Sequence, residues 1–181
     1  YLSSSSDKNK NKNNNNEDDD DDENDDGDDD NDGIIDNAIY SLGFICTIPE
    51  LQNAAVNYVN FNEIFSIWLN SLPLKNDKIE SKISLLQLLN LFEREDMREI
   101  LFGTNYENVS IITRIIADIF LFYHEIPSLS SSIPTELIHQ ETLQQFKQLY
   151  SGLLQNEQIF YHIQNSLSNL TDQQRQMIEI S

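Results

Sequence analysis

The residues with the clearest potential for chemistry are the carboxylates and amides that crowd the first 33 positions. Asp22, Asn24, Asp26 and Gly27 match the first half of an EF-hand loop, in which alternate oxygen-bearing side chains coordinate calcium. The glutamate that closes such a loop at its twelfth position is replaced by Gly33. The pattern therefore does not predict a specific calcium site, and we expect no bound metal.

The remaining residues that could ligate a metal or attack a substrate are scattered. His124, His139 and His162 lie on separate segments, without the convergent spacing that a metal site needs. Cys46 lies among apolar residues, which predicts a buried and unreactive thiol. No serine or carboxylate has a base partner at a recognisable catalytic spacing. We therefore expect neither an enzyme active site nor a cofactor.

The charge of the chain is strongly one-sided. It has 31 acidic and 11 basic residues, a formal net charge of -20, and 14 of the acidic residues lie within residues 1–33. An acidic surface repels phosphate groups, so we expect no direct nucleic-acid binding, whereas basic proteins would be attracted. The most apolar stretch, residues 111–123, is too short and too charged to span a bilayer, and no signal peptide is visible, so we expect no membrane insertion.

Residues 1–33 form a low-complexity segment of Ser, Asn, Lys and Asp. It has no large apolar residue between Leu2 and Ile34, so it cannot bury enough surface to offset the entropy of ordering. The sequence predicts a disordered acidic, Asn/Asp-rich loop. Either this loop is a linker without a partner, or its aspartates attract basic proteins. The candidate attracting residues are Asp18, Asp19, Asp20, Asp21 and Asp22.

Residues 34–181 have the apolar periodicity of helices, and dipeptides typical of hairpins are scarce, so we predict an all-α fold. Asp77 with Glu80, and Thr171 with Gln174, resemble capping boxes that open two of the helices. Residues 126–134 read as a loop. The predicted helices span residues 36–47, 61–72, 77–92, 97–102, 108–123, 135–154 and 157–167, with a last one opening at residue 171.

The apolar stripes of these helices predict the core. Helix 77–92 carries a stripe of Ile79, Ile83, Leu86 and Leu89, and further leucines widen its apolar face, so it should touch neighbours on two sides. Its polar strip comprises Glu80, Ser84 and Gln87. Trp68 is expected in the core, and Arg114 with Asp118 as an ion pair on one helix face. The residues predicted to be buried are Ile64, Trp68, Leu72, Ile83, Leu86, Ile112, Ile116 and Phe146, with Phe122 also facing inward.

Three sequence segments suggest a family. VNFNE at 59–63 followed by WLNSLPLKNDKIE at 68–80 resembles a segment near the C terminus of karyopherin-β3 type importins, the importin-five group of the importin-β family. DNAIYSLG at 36–43 and LTDQQR at 170–175 are similar to two further helices of that family, in the same order. The long Asn/Asp tract and the Ser-rich residues 129–132 depart from the family pattern. Paired helices recurring about every 40–45 residues also favour HEAT-like stacking over a plain bundle.

The resemblance implies that residues 34–181 are the C-terminal HEAT repeats of an α-solenoid, an armadillo-like helical fold. It implies a nuclear import receptor that carries basic cargo, such as ribosomal proteins or histones, and shuttles between cytoplasm and nucleus. Ran GTPase and nucleoporins would be contacted through upstream repeats. Two alternatives stay open: a HEAT-repeat scaffold subunit and an acidic histone chaperone.

The resemblance also implies where cargo would bind. Helices 36–47 and 77–92 would be second helices of their pairs, which line the concave surface of a HEAT stack. Carboxylates on that surface would pair with cargo lysines or arginines, and amides would bond to cargo backbone. In the alternative, Asp36 and Glu80 only cap their helices. The candidate cargo-binding residues on these helices are Asp36, Asn37, Glu80, Ser84 and Gln87.

Overall fold

A computed structural model describes residues 27–55, 57–125 and 133–179, with side chains described for 33–55, 57–122 and 140–179. All regular structure within these ranges is helical, as predicted, and they contain no strand. Two single 3-10 turns, Glu95–Met97 and Leu167–Asn169, join helices. The α-helices are α1 (Gly27–Thr47), α2 (Pro49–Ala55), α3 (Phe61–Asn70), α4 (Lys78–Phe92), α5 (Arg98–Phe102), α6 (Val109–Glu125), α7 (Ile133–Leu154), α8 (Glu157–Ser166) and α9 (Asp172–Glu179).

The first two helices differ from the prediction. α1 begins at Gly27 rather than at residue 36, so the last part of the segment predicted to be disordered is helical. α2 was not predicted and buries none of its residues. No single helix in the described ranges is long and apolar enough to cross a membrane, and by length and composition alone only the pair Gly33–Thr47 and Pro49–Ala55, bent by 98°, could.

The helices contact one another in two rows. In the first row α1 packs along α4, and α4 packs against α7. In the second row α3 contacts α6, and α6 contacts α8. Contacts of α1 with α3, of α6 with α7 and of α7 with α8 join the rows, and α9 lies against α6. When the short helices α2 and α5 are set aside, every second helix along the chain is therefore a neighbour in space.

The apolar centre of the fold lies around α6. Four isoleucines on α6, spaced for one face of a helix, are at most 1% exposed, and Phe146 of α7 is fully buried. Burial is thus confirmed for Trp68, Leu72, Ile112, Ile116 and Phe146. Phe122 is 42% exposed, which corrects the prediction that it faces inward. The four isoleucines are Ile112, Ile115, Ile116 and Ile119.

The apolar stripe predicted for α4 is wrong. Ile79 is 72% exposed, and Ile83 and Leu86 are only partly buried. Leu85, Leu88 and Leu91 are the buried leucines instead. Two overlapping apolar stripes on one helix leave its rotation open, and contacts with α1 and α7 decide it. The prediction that this helix touches neighbours on two sides is confirmed.

An ion pair on α6 fastens three helices. Arg114 Nη1 lies 3.1 Å from Asp118 Oδ2, which confirms the predicted pair. The guanidinium also donates to the carbonyl oxygens of Asn70, the last residue of α3, at 3.0 Å, and of Leu72, at 3.2 Å. Carbonyl groups at a helix end lack partners within the helix, so Arg114 supplies them. Asp118 Oδ1 accepts a hydrogen bond from Gln174 Nε2 of α9 at 2.6 Å.

Side chains at the helix starts explain where the elements begin. The predicted capping box of α9 is confirmed in both directions: Thr171 N–H donates to Gln174 Oε1 at 2.8 Å, and Gln174 N–H donates to Thr171 Oγ1 at 3.2 Å. Asn60 caps α3 and Asn156 caps α8 in one direction only, since each side chain accepts hydrogen bonds from backbone N–H groups of the first turn. Gly103 ends α5, and its φ of +80° is a conformation that glycine adopts without strain.

Candidate functional site

Four of the candidate cargo-binding residues come together where α1 lies against α4: Asp36, Glu80, Ser84 and Gln87. On α1 the inward positions alternate in steps of three and four residues: Asp36, Ile39, Gly43 and Cys46. On α4 the polar strip turns toward α1, and the indole of Trp68 reaches the same place from α3. We call this group the α1–α4 seam. Its members are Asp36, Gly43, Trp68, Glu80, Ser84 and Gln87.

Asp36 joins α1 to the start of α4. Its Oδ2 atom accepts hydrogen bonds from the backbone N–H groups of Asn76, at 2.9 Å, and Asp77, at 3.2 Å. Asp77 in turn accepts from the N–H groups of Ile79, at 2.7 Å, and Glu80, at 2.9 Å. Two carboxylates thus supply acceptors for four N–H groups at one helix start. Asp36 is a cap, but of α4 rather than of its own helix.

Glu80 lies in the first turn of α4, close to both of these carboxylates. Its side chain is half-buried, and its Oε2 atom is enclosed without a hydrogen-bond partner. Burial raises the pKa of Glu80 above its ordinary value, and the negative charges of Asp77 and Asp36 raise it further. The predicted return bond from Glu80 to the N–H of Asp77 is replaced by Asp36.

The middle of the seam is built around Gly43. A Cβ atom there would lie 2.1 Å from Gln87 Oε1 and 2.8 Å from Trp68 Nε1, both too close for a real contact. The missing side chain therefore lets the Gln87 amide and the Trp68 indole approach the α1 backbone. Ser84, one turn earlier on α4, is 0% exposed, and Gln87 is 6% exposed.

These positions differ from the exposed surface that was predicted for cargo binding. Asp36, Ser84 and Gln87 are buried between helices and do not line an exposed surface. Glu80 is only partly accessible, whereas Asn37 is exposed, with its side-chain amide donating to the Gly33 carbonyl at 2.9 Å. The polar strip turns inward because it lies beside buried leucines: Leu91 is one turn after Gln87 and two turns after Ser84. Asp18, Asp19, Asp20, Asp21 and Asp22 lie outside the described residues.

Other residues singled out from the sequence have structural positions. Cys46 is fully buried, as predicted, and burial raises its pKa to about 12, which favours the protonated thiol at neutral pH. Trp68 packs in the core, 5.8 Å from Phe65 between ring centroids. His162 stacks on Tyr106 at 5.1 Å. The described part of the chain holds no group of three or more side chains able to bind a metal.

A groove of about 310 Å³ carries two carboxylates that the sequence did not single out. Glu99 and Glu107 line it, together with the polar residues Asn62 and Asn108. Glu107 accepts a hydrogen bond from the N–H of Asn105 at 2.8 Å. Hydrogen bonds from backbone N–H groups, its own first, lower the pKa of Glu107, so its charge persists into mildly acidic solution. The two glutamates lie on different segments, so no local pattern could have paired them.

No protein-family model, curated protein or solved structure matches this chain. The resemblance to importins therefore rests on the three sequence segments alone. In the structure the longest of them supplies core residues, since Trp68, Leu69, Leu72 and Leu74 are all buried. Its matching residues therefore describe helix packing rather than a binding surface.

Proposed function

We propose that the chain is the C-terminal part of a nuclear import receptor of karyopherin-β3 type, which binds basic cargo proteins through stacked helix pairs. The observation that carries this proposal is the order of helix contacts. The rows α1, α4, α7 and α3, α6, α8 are what consecutive HEAT pairs would produce, with first helices in one row and second helices in the other. In this arrangement α6 pairs with α7, which it contacts, whereas α3 and α4 touch little and depart from a regular HEAT pair.

The charge supports basic proteins as the cargo. With a net charge of -20, the chain would attract ribosomal proteins or histones over long distances and raise their association rate. Ran GTPase and nucleoporins would be contacted by repeats upstream of this chain, and the receptor would shuttle between cytoplasm and nucleus. No catalytic step, cofactor or nucleic acid is part of this proposal.

The cargo would contact exposed carboxylates, since most of the seam is buried. Among the described residues, Glu99 and Glu107 both line one groove and could pair with a lysine or arginine. Asp18–Asp22 would extend the acidic surface from the segment before α1. Contacts of this kind are formed late in binding, whereas the summed charge acts during the encounter.

One observation favours a second candidate, an acidic histone chaperone. Nearly half of the acidic residues lie within residues 1–33, so a single segment could shield a basic protein without the helices. A HEAT-repeat scaffold subunit is the third candidate, and it would show no preference for basic partners.

Association kinetics with a histone or a ribosomal protein separate these candidates. One variant carries Asn at Asp18–Asp22, and a second carries Glu99→Gln and Glu107→Gln. The receptor proposal expects slower association for the first variant at low salt, with the difference shrinking as salt rises, and faster dissociation for the second. Binding abolished by the first variant alone would favour the chaperone. Equal binding of basic and acidic test proteins by the wild type would favour the scaffold.

Release by Ran tests the receptor directly. The full-length protein that contains this chain is loaded with a basic cargo, and Ran is added in its GTP form or its GDP form. An import receptor releases cargo with the GTP form only. Retention of cargo with both forms would contradict the proposal.

A further inference from the structure

The buried side-chain polar atoms that lack a hydrogen-bond partner among the described residues all belong to the α1–α4 seam. Three of their four residues are on one face of α4, and the fourth, Trp68, points to Gly43 from α3. Trp68 and Ser84 are 0% exposed, and Gln87 is 6% exposed. The five atoms are Trp68 Nε1, Glu80 Oε2, Ser84 Oγ, Gln87 Nε2 and Gln87 Oε1.

Other buried hydroxyl groups in the described part of the chain have hydrogen-bond partners within the protein. Ser166 Oγ donates to the Ile163 carbonyl at 2.7 Å, and Thr113 Oγ1 donates to the Val109 carbonyl at 2.8 Å. A buried polar atom without a partner loses its hydration without compensation, and five in one place would consume much of the stability of a small domain. The seam therefore needs a partner that the surrounding protein does not supply.

The chemistry of the five atoms identifies that partner. Trp68 Nε1–H can only donate a hydrogen bond, Glu80 Oε2 accepts when ionised, and Ser84 and Gln87 can do both. A cation would face the N–H groups of Trp68 and Gln87, and an anion would face the carboxylates of Asp36 and Glu80. A small neutral molecule that donates and accepts fits all of them. We propose that the α1–α4 seam is an internal water-binding site, in which water bridges Trp68, Ser84, Gln87 and Glu80 between the helices.

The site has a consequence for motion. α1 is held to the fold by two buried apolar side chains, Ile39 and Cys46, by the partly buried Tyr40 and Leu42, and by the hydrogen bonds of Asp36. Around Gly43 the neighbouring amide and indole make no hydrogen bond to a protein atom, so water there would let α1 separate from α4 more easily than α6 separates from its neighbours. Backbone N–H groups of α1 therefore exchange with solvent faster than those in the middle of α6.

The test is nuclear magnetic resonance of the whole chain, because Trp68 is its single tryptophan and gives one indole N–H signal. In the wild type this signal should show a direct cross-peak to water. The double variant Ser84→Ala/Gln87→Leu replaces polar partners by apolar groups of similar size, so the cross-peak should disappear. Amide exchange at Ile39 and Cys46 should then slow about tenfold.

The matched control is Ser166→Ala, which removes an equally buried hydroxyl that already has a protein partner. It should leave both the Trp68 cross-peak and the exchange in α1 unchanged. The proposal is overturned if the wild-type indole N–H shows no cross-peak to water. Unchanged amide exchange in a folded double variant would overturn it as well. If the double variant does not fold, the wild-type cross-peak alone decides the question.

Discussion

α4 and α6 both run through the inside of the molecule, but they meet their neighbours with different chemistry. The buried face of α6 is formed by four isoleucines that are at most 1% exposed. The face that α4 turns to α1 includes a carboxylate, a hydroxyl and an amide, from Glu80, Ser84 and Gln87. Helices of similar length in one small fold thus pack with an apolar interface in one place and a polar interface in another.

The interfaces of α4 and α6 do not differ simply because one of them buries polar groups. α6 buries the hydroxyl of Thr113, and its Arg114 is partly buried, but both have fixed partners. In the seam only Asp36 has such partners, and the polar atoms of Ser84 and Gln87 have none. The length over which two helices touch is therefore a poor guide to how firmly they are held together. The substitutions at four positions described below should show this.

The largest effect is expected in the apolar interface. Ile116→Ala removes a side chain that is 1% exposed and leaves a cavity that close packing cannot refill. We expect a loss of about 2–5 kcal/mol in the free energy of unfolding, measured by urea denaturation. Ile79→Ala is the matched control, because Ile79 is 72% exposed, and should change stability by less than about 0.5 kcal/mol. Equal losses at both positions would remove the distinction on which the comparison rests.

The anchor of the seam should come next. Asp36→Ala leaves the N–H groups of Asn76 and Asp77 without their acceptor, which should cost about 1–3 kcal/mol. Asp36→Asn keeps an acceptor oxygen and should cost less. Asn37→Ala, at the exposed neighbouring position, is the control. If Asp36→Ala and Asn37→Ala have the same melting temperature, the hydrogen bonds of Asp36 do not hold α1 in place.

Local patterns predicted much of this fold. The capping box at Thr171, the end of α5 at Gly103 and the inward isoleucines of α6 follow from short-range rules, because one helix decides them. The early start of α1 did not follow, since the composition of residues 27–33 predicts disorder. The rotation of α4 did not follow either, because two apolar stripes compete and only the neighbouring helices choose between them.

The seam shows why the candidate site was harder to predict than the fold. A polar strip on an amphipathic helix normally faces solvent, so Ser84 and Gln87 read as surface residues. The contrary signal was Gly43, a helical glycine whose missing side chain accommodates Gln87 from another helix. Gly43 and Gln87 are far apart in the chain, so their contact cannot be recognised from one sequence alone. Asp36 as a cap of α4 is hidden for the same reason.

A smaller effect should distinguish two glycines within helices. Gly43→Ala places a methyl group 2.1 Å from Gln87 Oε1, so the overpacking should outweigh the gain in helix propensity by about 1 kcal/mol. Gly152→Ala on α7 meets nothing within 4 Å and should stabilise the protein by about 0.5–1 kcal/mol. Thermal unfolding of both variants gives the comparison. Adding Gln87→Ala to Gly43→Ala should restore part of the loss, and an absence of coupling would show that the amide does not fill this space.

The smallest effect concerns the dependence of stability on pH. Burial and then the charges of Asp77 and Asp36 raise the pKa of Glu80 in the folded state above its ordinary value of 4.5. The folded state therefore favours the protonated form, and this contribution to stability is complete below pH 4.5 and is lost as pH rises through the raised pKa. In the Glu80→Gln variant the side chain at position 80 is uncharged at every pH. Its unfolding free energy should match that of the wild type at acidic pH and exceed it at neutral pH.

Glu107→Gln provides a control for Glu80→Gln that should behave in the opposite sense. Hydrogen bonds from backbone N–H groups lower the pKa of Glu107, so its contribution to stability is present above pH 4.5 and is lost as pH falls through the lowered pKa. Glu107→Gln should therefore be less stable than the wild type at neutral pH and should converge with it in acid. Urea denaturation of the three proteins between about pH 3 and pH 8 measures both differences. If Glu80→Gln follows the wild type at every pH, the carboxyl of Glu80 reaches solvent, and the polar interface between α1 and α4 contains no confined charge.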